Sequence, residues 1–219
     1  MVNPAAIISL LPSLARTRPV FHSEADFQLA LAWEVQRGHP NWRVRLETRP
    51  YPGVHLDLLV ADPTSGMSVA VELKYLTDLW AGTVAGESFA LKRQAAQDVL
   101  GYDCVKDIAR IERVVTDGIA SSGVTIVLTN ERTYWRAPGH GKPTNADAFR
   151  LHEGLVMSGS RAWGPQTGAG TMGTSRKLPI RLAGSYALLW QPYSTLPGPR
   201  GDFKYLAVVV DEPAEIADQ

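Results

Sequence analysis

The chain is nearly without cysteine: Cys104 stands alone in 219 residues. That excludes an internal disulfide and any zinc or iron–sulfur site built on a cysteine cluster. Net charge is absent too, with 22 Lys and Arg against 22 Asp and Glu. No global field therefore recruits a polyanion, and a nucleic-acid surface, if present, must be a local patch. Nor is there an apolar run near the roughly 20 residues needed to span a bilayer. The apolar stretch at residues 5–11 is short, lacks a basic leader and lies between Pro4 and Pro12. It argues against a signal peptide and leaves the cytoplasm as the default. The five histidines never take an H-E-x-x-H or comparable spacing, which argues against a zinc hydrolase. Gly168-Ala169-Gly170-Thr171-Met172-Gly173 has glycine spacing alone: no strand precedes it and Pro179 soon follows, so it lacks the setting of a dinucleotide fold.

What the chain does have is concentrated in residues 54–77, VHLDLLVADPTSGMSVAVELKYLT. Two runs rich in Val and Leu flank a turn carrying Asp62-Pro63 and Ser65-Gly66, the pattern of a β-hairpin. Asp57 interrupts the first run, and Glu72 and Lys74 interrupt the second. Strand alternation puts Val69, Val71 and Leu73 on one face and Ala70, Glu72 and Lys74 on the other. Charges among such neighbours are costly to bury unless they pair or hold a metal. An economical arrangement gathers Asp57, Glu72 and Lys74 at one end of two adjacent strands around a divalent cation. The competing arrangement is a solvated Glu72–Lys74 surface pair.

Asp57, a fourteen-residue gap and Glu72-Leu73-Lys74 resemble the PD-(D/E)xK nuclease superfamily, although Leu56 stands where its usual Pro would be. The resemblance implies a restriction-endonuclease-like core and a Mg²⁺ or Mn²⁺ ion held by Asp57, Glu72 and the Leu73 backbone carbonyl. It implies catalysis by Asp57, Glu72 and Lys74, with Lys74 orienting or deprotonating the attacking water; a crowded cationic site beside the metal would lower its pKa. An acid on the first helix completes the set. Ser23 and Asp26 form a capping box, and helical spacing places Glu24 on the stripe of Phe27 and Leu31. Glu24 is thus the fourth catalytic and metal-binding candidate, Glu34 the fallback, and an ordinary first-turn dipole partner the plain alternative.

The order of elements agrees with that reading. Residues 1–20 suggest a short helix and a linker. A strand at 42–49 and a tight turn at 50–53 follow the capped helix, and residues 77–88 look irregular before a helix over 89–117 that Gly101 bends or divides. Lys92, Gln94 and Gln97 near its start are phosphate or metal-support candidates. Asp103, Asp107 and Glu112 suggest surface pairs. The unbroken apolar run 123–129 reads as a buried central strand after a crossover helix. Residues 186–190 and 203–210 give two more strands before a short acidic tail. Residues 131–182 hold a Thr144–Asp147 capping box and eight Lys or Arg against three acids. They form either a solvated insertion or a basic nucleic-acid grip, with Arg136, Lys142, Arg176 and Lys177 as contacts.

The sequence therefore predicts one α/β domain over 1–219: a mixed central β-sheet flanked by helices, with its core at about 20–130 and 183–212 and a basic, loop-rich insertion at about 131–182. It implies a metal-dependent endonuclease acting on nucleic acid, DNA before RNA, and is compatible with a homodimer or a partner protein. The alternatives are a catalytically silent nuclease-fold protein that binds nucleic acid or scaffolds a complex, and an unrelated α/β protein in which Asp57 and Glu72 point apart.

Overall fold

The computed structural model describes residues 1–94, 96–139, 141–173 and 175–211. The acidic tail of the sequence reading lies outside them, as do Ala95, His140 and Thr174. Two short helices, α1 (Pro4–Ile8) and α2 (Leu11–Thr17), stand where one helix and a linker are expected. Helix α3 (Glu24–Gly38) begins as its sequence requires: Asp26 N donates to Ser23 Oγ at 3.2 Å, and His22 N donates back to Asp26 Oδ2 at 3.0 Å. These contacts occupy main-chain donors that the first helical turn cannot satisfy.

Strands β1 (Arg43–Tyr51), β2 (Val54–Ala61) and β3 (Ser68–Leu76) form an antiparallel meander. The β2–β3 turn is closed by Asp62, whose carboxylate accepts from Thr64 N at 3.0 Å and Ser65 Oγ at 2.8 Å, while Gly66 takes φ +72°. Helix α4 (Gln97–Thr116) then crosses to β6 (Ser122–Thr129), which runs parallel to β3 and is buried at every position. With β9 (Trp190–Thr195) and β10 (Asp202–Asp211) these strands make a six-stranded mixed sheet ordered β1-β2-β3-β6-β10-β9. One face carries Val69, Val71, Leu73 and Tyr75 against α3 residues Phe27, Leu31 and Val35. The opposite face packs under α4, through Cys104, Ile108 and Ile111.

Several expectations about the connections fail. Residues 77–79 are irregular as expected, but the rest of 77–88 is not, and the helix does not begin at 89: β4 (Trp80–Val84) and β5 (Glu87–Leu91) form a hairpin, and α4 starts only at Gln97. Alternating Trp80, Phe89 and Leu91 bury one side of that hairpin. Gly101 neither bends nor divides α4; a Cβ there would strike the Phe149 main-chain carbonyl, so glycine is the residue that lets the insertion approach. The insertion is more structured than its composition suggests. Strands β7 (Val156–Arg161) and β8 (Ile180–Ala187) pair, and Phe149, Leu151, Met157 and Leu182 pack on Tyr102, Val105 and Ile108. Thr144 N donates to Asp147 Oδ2 at 2.7 Å, half of the expected capping box, but the element that follows is only a 3-10 turn, Asp147–Phe149, whose N-cap is Ala146 without a side-chain cap. The expected strand at 186–190 straddles the end of β8 and the start of β9. Among the described residues no helix is long and apolar enough to cross a membrane.

Candidate active site

The β2–β3 ladder runs only from Leu58 opposite Val71 to Ala61 opposite Ser68. Past Leu58 the strands part, and Leu73 N donates instead to Asp57 Oδ2 at 2.6 Å. Two residues further along, Tyr75 N donates to Glu24 Oε2 at 2.8 Å. Two side-chain carboxylates thus satisfy main-chain donors that a continued strand would have used. On the other edge β3 remains paired with β6 up to Leu76, so Glu72 and Lys74 are held on a rigid strand facing α4.

Glu72 is 1% exposed and accepts from Arg110 Nη1 at 2.6 Å. Lys74 Nζ lies 2.9 Å from Asp107 Oδ2, an ion pair without hydrogen-bond geometry, and 3.9 Å from Glu24 Oε1. Lys74 also donates to the Leu73 carbonyl at 3.1 Å, and Arg110 reaches Asp107 Oδ1 at 3.2 Å. The structure therefore brings Glu24, Asp57, Glu72 and Lys74 into one cluster and adds Asp107 and Arg110. It does not aim the predicted ligands at a single point: among the described residues no three His, Cys, Asp or Glu side chains are grouped to hold a metal ion. Glu34, the fallback, is elsewhere, paired with Arg37 at 2.6 Å.

A second layer supports Asp57. Gln28 Nε2 donates both to the Asp57 carbonyl at 2.9 Å and to Glu47 Oε1 at 2.8 Å. Glu47 lies between the Leu46–Leu58 and Thr48–Leu56 pairs, opposite Asp57, with φ +53°. A left-handed backbone is unfavourable for a residue with a Cβ and marks a position that its surroundings enforce.

Crowding shifts the protonation of the cluster. Burial raises the Asp57 and Glu24 carboxyls above the ordinary range, against the pull of Lys74 and of the main-chain N–H each accepts. Burial, with Asp107 and Asp57 nearby, pushes Glu72 up to about 8 despite Arg110. Burial also works against the charge on Lys74, but Asp107 and Glu24 outweigh it and hold the ammonium above its ordinary value. The described neighbours of Lys74 are anions and raise its pKa, whereas the expected lowering belongs to a crowded cationic site.

Asp107 and Glu112 are corrections as well: both are buried rather than surface-paired. Glu112 accepts from Ala183 N, Gly184 N and the Tyr186 hydroxyl, tying α4 to β8. The signal for Asp107 was available, since it falls between Cys104 and Ile111 in phase with the buried stripe of α4. Of the other candidates, Gln94 reaches the site, its Nε2 donating to the Tyr75 carbonyl at 3.1 Å. Gln97 opens α4, and Arg136 lines a shallow cleft with Arg132 and Arg150. Arg176 bonds the Thr171 carbonyl within the insertion, and Lys92, Lys142 and Lys177 are exposed. No protein-family model, curated protein or solved structure matches the chain.

Proposed function

We propose that this protein is a cytoplasmic metal-dependent endonuclease that hydrolyses phosphodiester bonds of nucleic acid, DNA first. The observation that carries this reading is the gathering of Glu24, Asp57, Glu72 and Asp107 with Lys74 and Arg110 where β2 and β3 part. A helix, three antiparallel strands, a crossover helix and a parallel fourth strand, with acids on the second and third strands, is the order implied by the PD-(D/E)xK resemblance. It supports a restriction-endonuclease-like core.

The donor set fits a hard divalent cation. With all four carboxyls ionised, as a bound cation would require, they exceed Lys74 and Arg110 by two negative charges, which one Mg²⁺ would balance, and every donor is oxygen. Asp57, Glu72 and the Leu73 carbonyl would hold the ion, with Glu24 beside them. When bound, Mg²⁺ or Mn²⁺ supplies charge neutralisation and an activated water. Lys74, kept charged by Asp107 and Glu24, attracts the phosphate and donates hydrogen bonds rather than taking a proton. Asp107 and Arg110 position Lys74 and Glu72, and Gln28 fixes the Asp57 main chain.

A second reading has its own support. Arg110 occupies Glu72 and Lys74 occupies the Leu73 carbonyl, which suits a silent nuclease-fold protein that binds nucleic acid or scaffolds a complex. Nicking of supercoiled plasmid with Mg²⁺, Mn²⁺ or EDTA separates the two. The nuclease reading expects metal-dependent cutting that falls at least about 100-fold in Asp57→Asn and in Lys74→Met. Intact plasmid, linear duplex, single strands and RNA would favour the silent protein.

A further inference from the structure

Strand β1 is an edge of the six-stranded sheet, and its side chains alternate between the two faces. Val44 opposes Val60 in the core beneath α3, whereas Arg45 opposes Leu59, which packs with Ala70 and Ile111 on the α4 side. Arg43, opposite Ala61, shares that side. Helix α4 lies over β3, β6 and β10, so the margin of this face made by β1 is open and both arginines are exposed. Along β2, Asp57 is two residues from Leu59, which places it diagonally opposite Arg45. Such diagonal neighbours are about 7–8 Å apart, within reach of a long side chain. Arg43 lies a further two-residue step, about 7 Å, away from the cluster. The two arginines therefore form a file that runs from the sheet margin to the acid cluster.

Both guanidiniums retain unused donors. Arg45 Nη1 donates to the Val44 carbonyl at 3.1 Å, and among the described residues neither side chain pairs with an acid. Glu47, the acid of this strand, is taken by Gln28 at 2.8 Å and by His55 at 3.4 Å, and the Asp57 carboxylate accepts from Leu73 N. The insertion differs: Arg132 and Arg150 hold Asp202 and Asp147, and Arg176 bonds the Thr171 carbonyl. In a chain without net charge, a row of unpaired cations beside the site is a local attraction for a polyanion. Charge on an edge strand also blocks pairing with another sheet. That role asks for charge anywhere on the strand and gives no reason for its alignment with Asp57.

We propose that Arg43 and Arg45 form a phosphate track, holding consecutive phosphates of the nucleic acid on one side of the bond to be cut. Its direction towards the cluster rests on the nuclease reading; its affinity for a phosphate backbone does not. The full-length protein in EDTA is titrated by anisotropy with fluorescein-labelled oligothymidine and with a labelled duplex, over a range of NaCl concentrations. Arg43→Gln and Arg45→Gln are each expected to weaken binding about three- to tenfold and to reduce the log–log salt slope by about 1. Arg45→Lys keeps the charge and is expected to keep the parental slope. Arg16→Gln, which removes an exposed arginine of α2 on the other side of the sheet, is expected to change affinity less than about twofold. All of these variants are expected to unfold within about 2 degrees of the parent, since each alters an exposed side chain. Parental affinity in both β1 variants, an equal loss in Arg16→Gln, or a parent that binds neither probe would overturn the track. A loss confined to Lys142→Gln or Lys177→Gln would overturn it in favour of the insertion. Metal-dependent cleavage with parental binding in both β1 variants sinks the track and spares the nuclease reading. Arginine-dependent binding without cleavage of any substrate sinks the nuclease reading, and with it the direction of the track, but spares the phosphate contact.

Discussion

Glu72 shows how a single side chain couples this site to stability. Its carboxyl rises from 4.5 to about 8 on folding. Between those values the native protein holds a proton that the unfolded chain has released. Its contribution is therefore complete below about pH 4.5 and is lost as pH rises through 8. In EDTA the parent is expected to lose more than about 1 kcal/mol between pH 5 and 8 in urea denaturation, and Glu72→Gln to flatten that slope. An unchanged slope would mean that Arg110 alone sets the protonation of Glu72. The candidates Asp57, Glu72 and Lys74 were legible because each breaks an apolar strand pattern, and Glu24 because it shares a stripe with Phe27 and Leu31. Asp107 showed only in its phase with the buried stripe of α4 and Arg110 not at all, because charge on an amphipathic helix ordinarily means solvent, and packing against β3 is what pairs these two with Lys74 and Glu72.

At the scale of elements, the joint between α4 and the insertion rests on Gly101. Gly101→Ala places a methyl against the Phe149 carbonyl. The expected loss is about 1–3 kcal/mol, seen as a fall of several degrees in Tm and faster proteolysis around residues 141–150. Unaltered Tm would show that the insertion yields without penalty. The elements the sequence reading placed well, α3, β2, β3 and β6, have strong local signals: a cap, a turn and unbroken or alternating apolar runs. Of the ones it misplaced, β4, β5 and β7 are only five or six residues long, and β8 is interrupted by Gly184 and Ser185. Their pairing depends on partners that local periodicity does not reveal.

For the whole molecule, loading with a cation and folding are one equilibrium. Above about pH 8, where Glu72 is ionised, Arg110→Gln removes the cationic partner of a buried carboxylate, a change worth about 3 kcal/mol. Its Tm is expected to fall in EDTA and to recover with Mg²⁺ more than the parent's does, because the ion then meets Glu72 without competition. Equal recovery in both proteins would place the bound ion away from Glu72. Neutral net charge makes a second expectation. The insertion's Arg132 and Arg150 already face Asp202 and Asp147, so the basic excess read from composition is partly spent internally. Oligothymidine affinity in EDTA should fall with salt along a log–log slope no steeper than about −3. A steeper slope would restore the broad basic grip that the composition of residues 131–182 suggests.

By itself the sequence determined the class of the fold, the hairpin with its acids and lysine, the capped helix α3 and the buried parallel strand. Each follows from periodicity, capping and the cost of placing charge among apolar neighbours, all of which act over a few residues. Only the tertiary structure decided which charges meet. The parting of β2 from β3 and the approach of Asp107 and Arg110 on α4 depend on chain segments dozens of residues apart. Their energies come from burial and Coulomb contact in three dimensions, which no local pattern encodes.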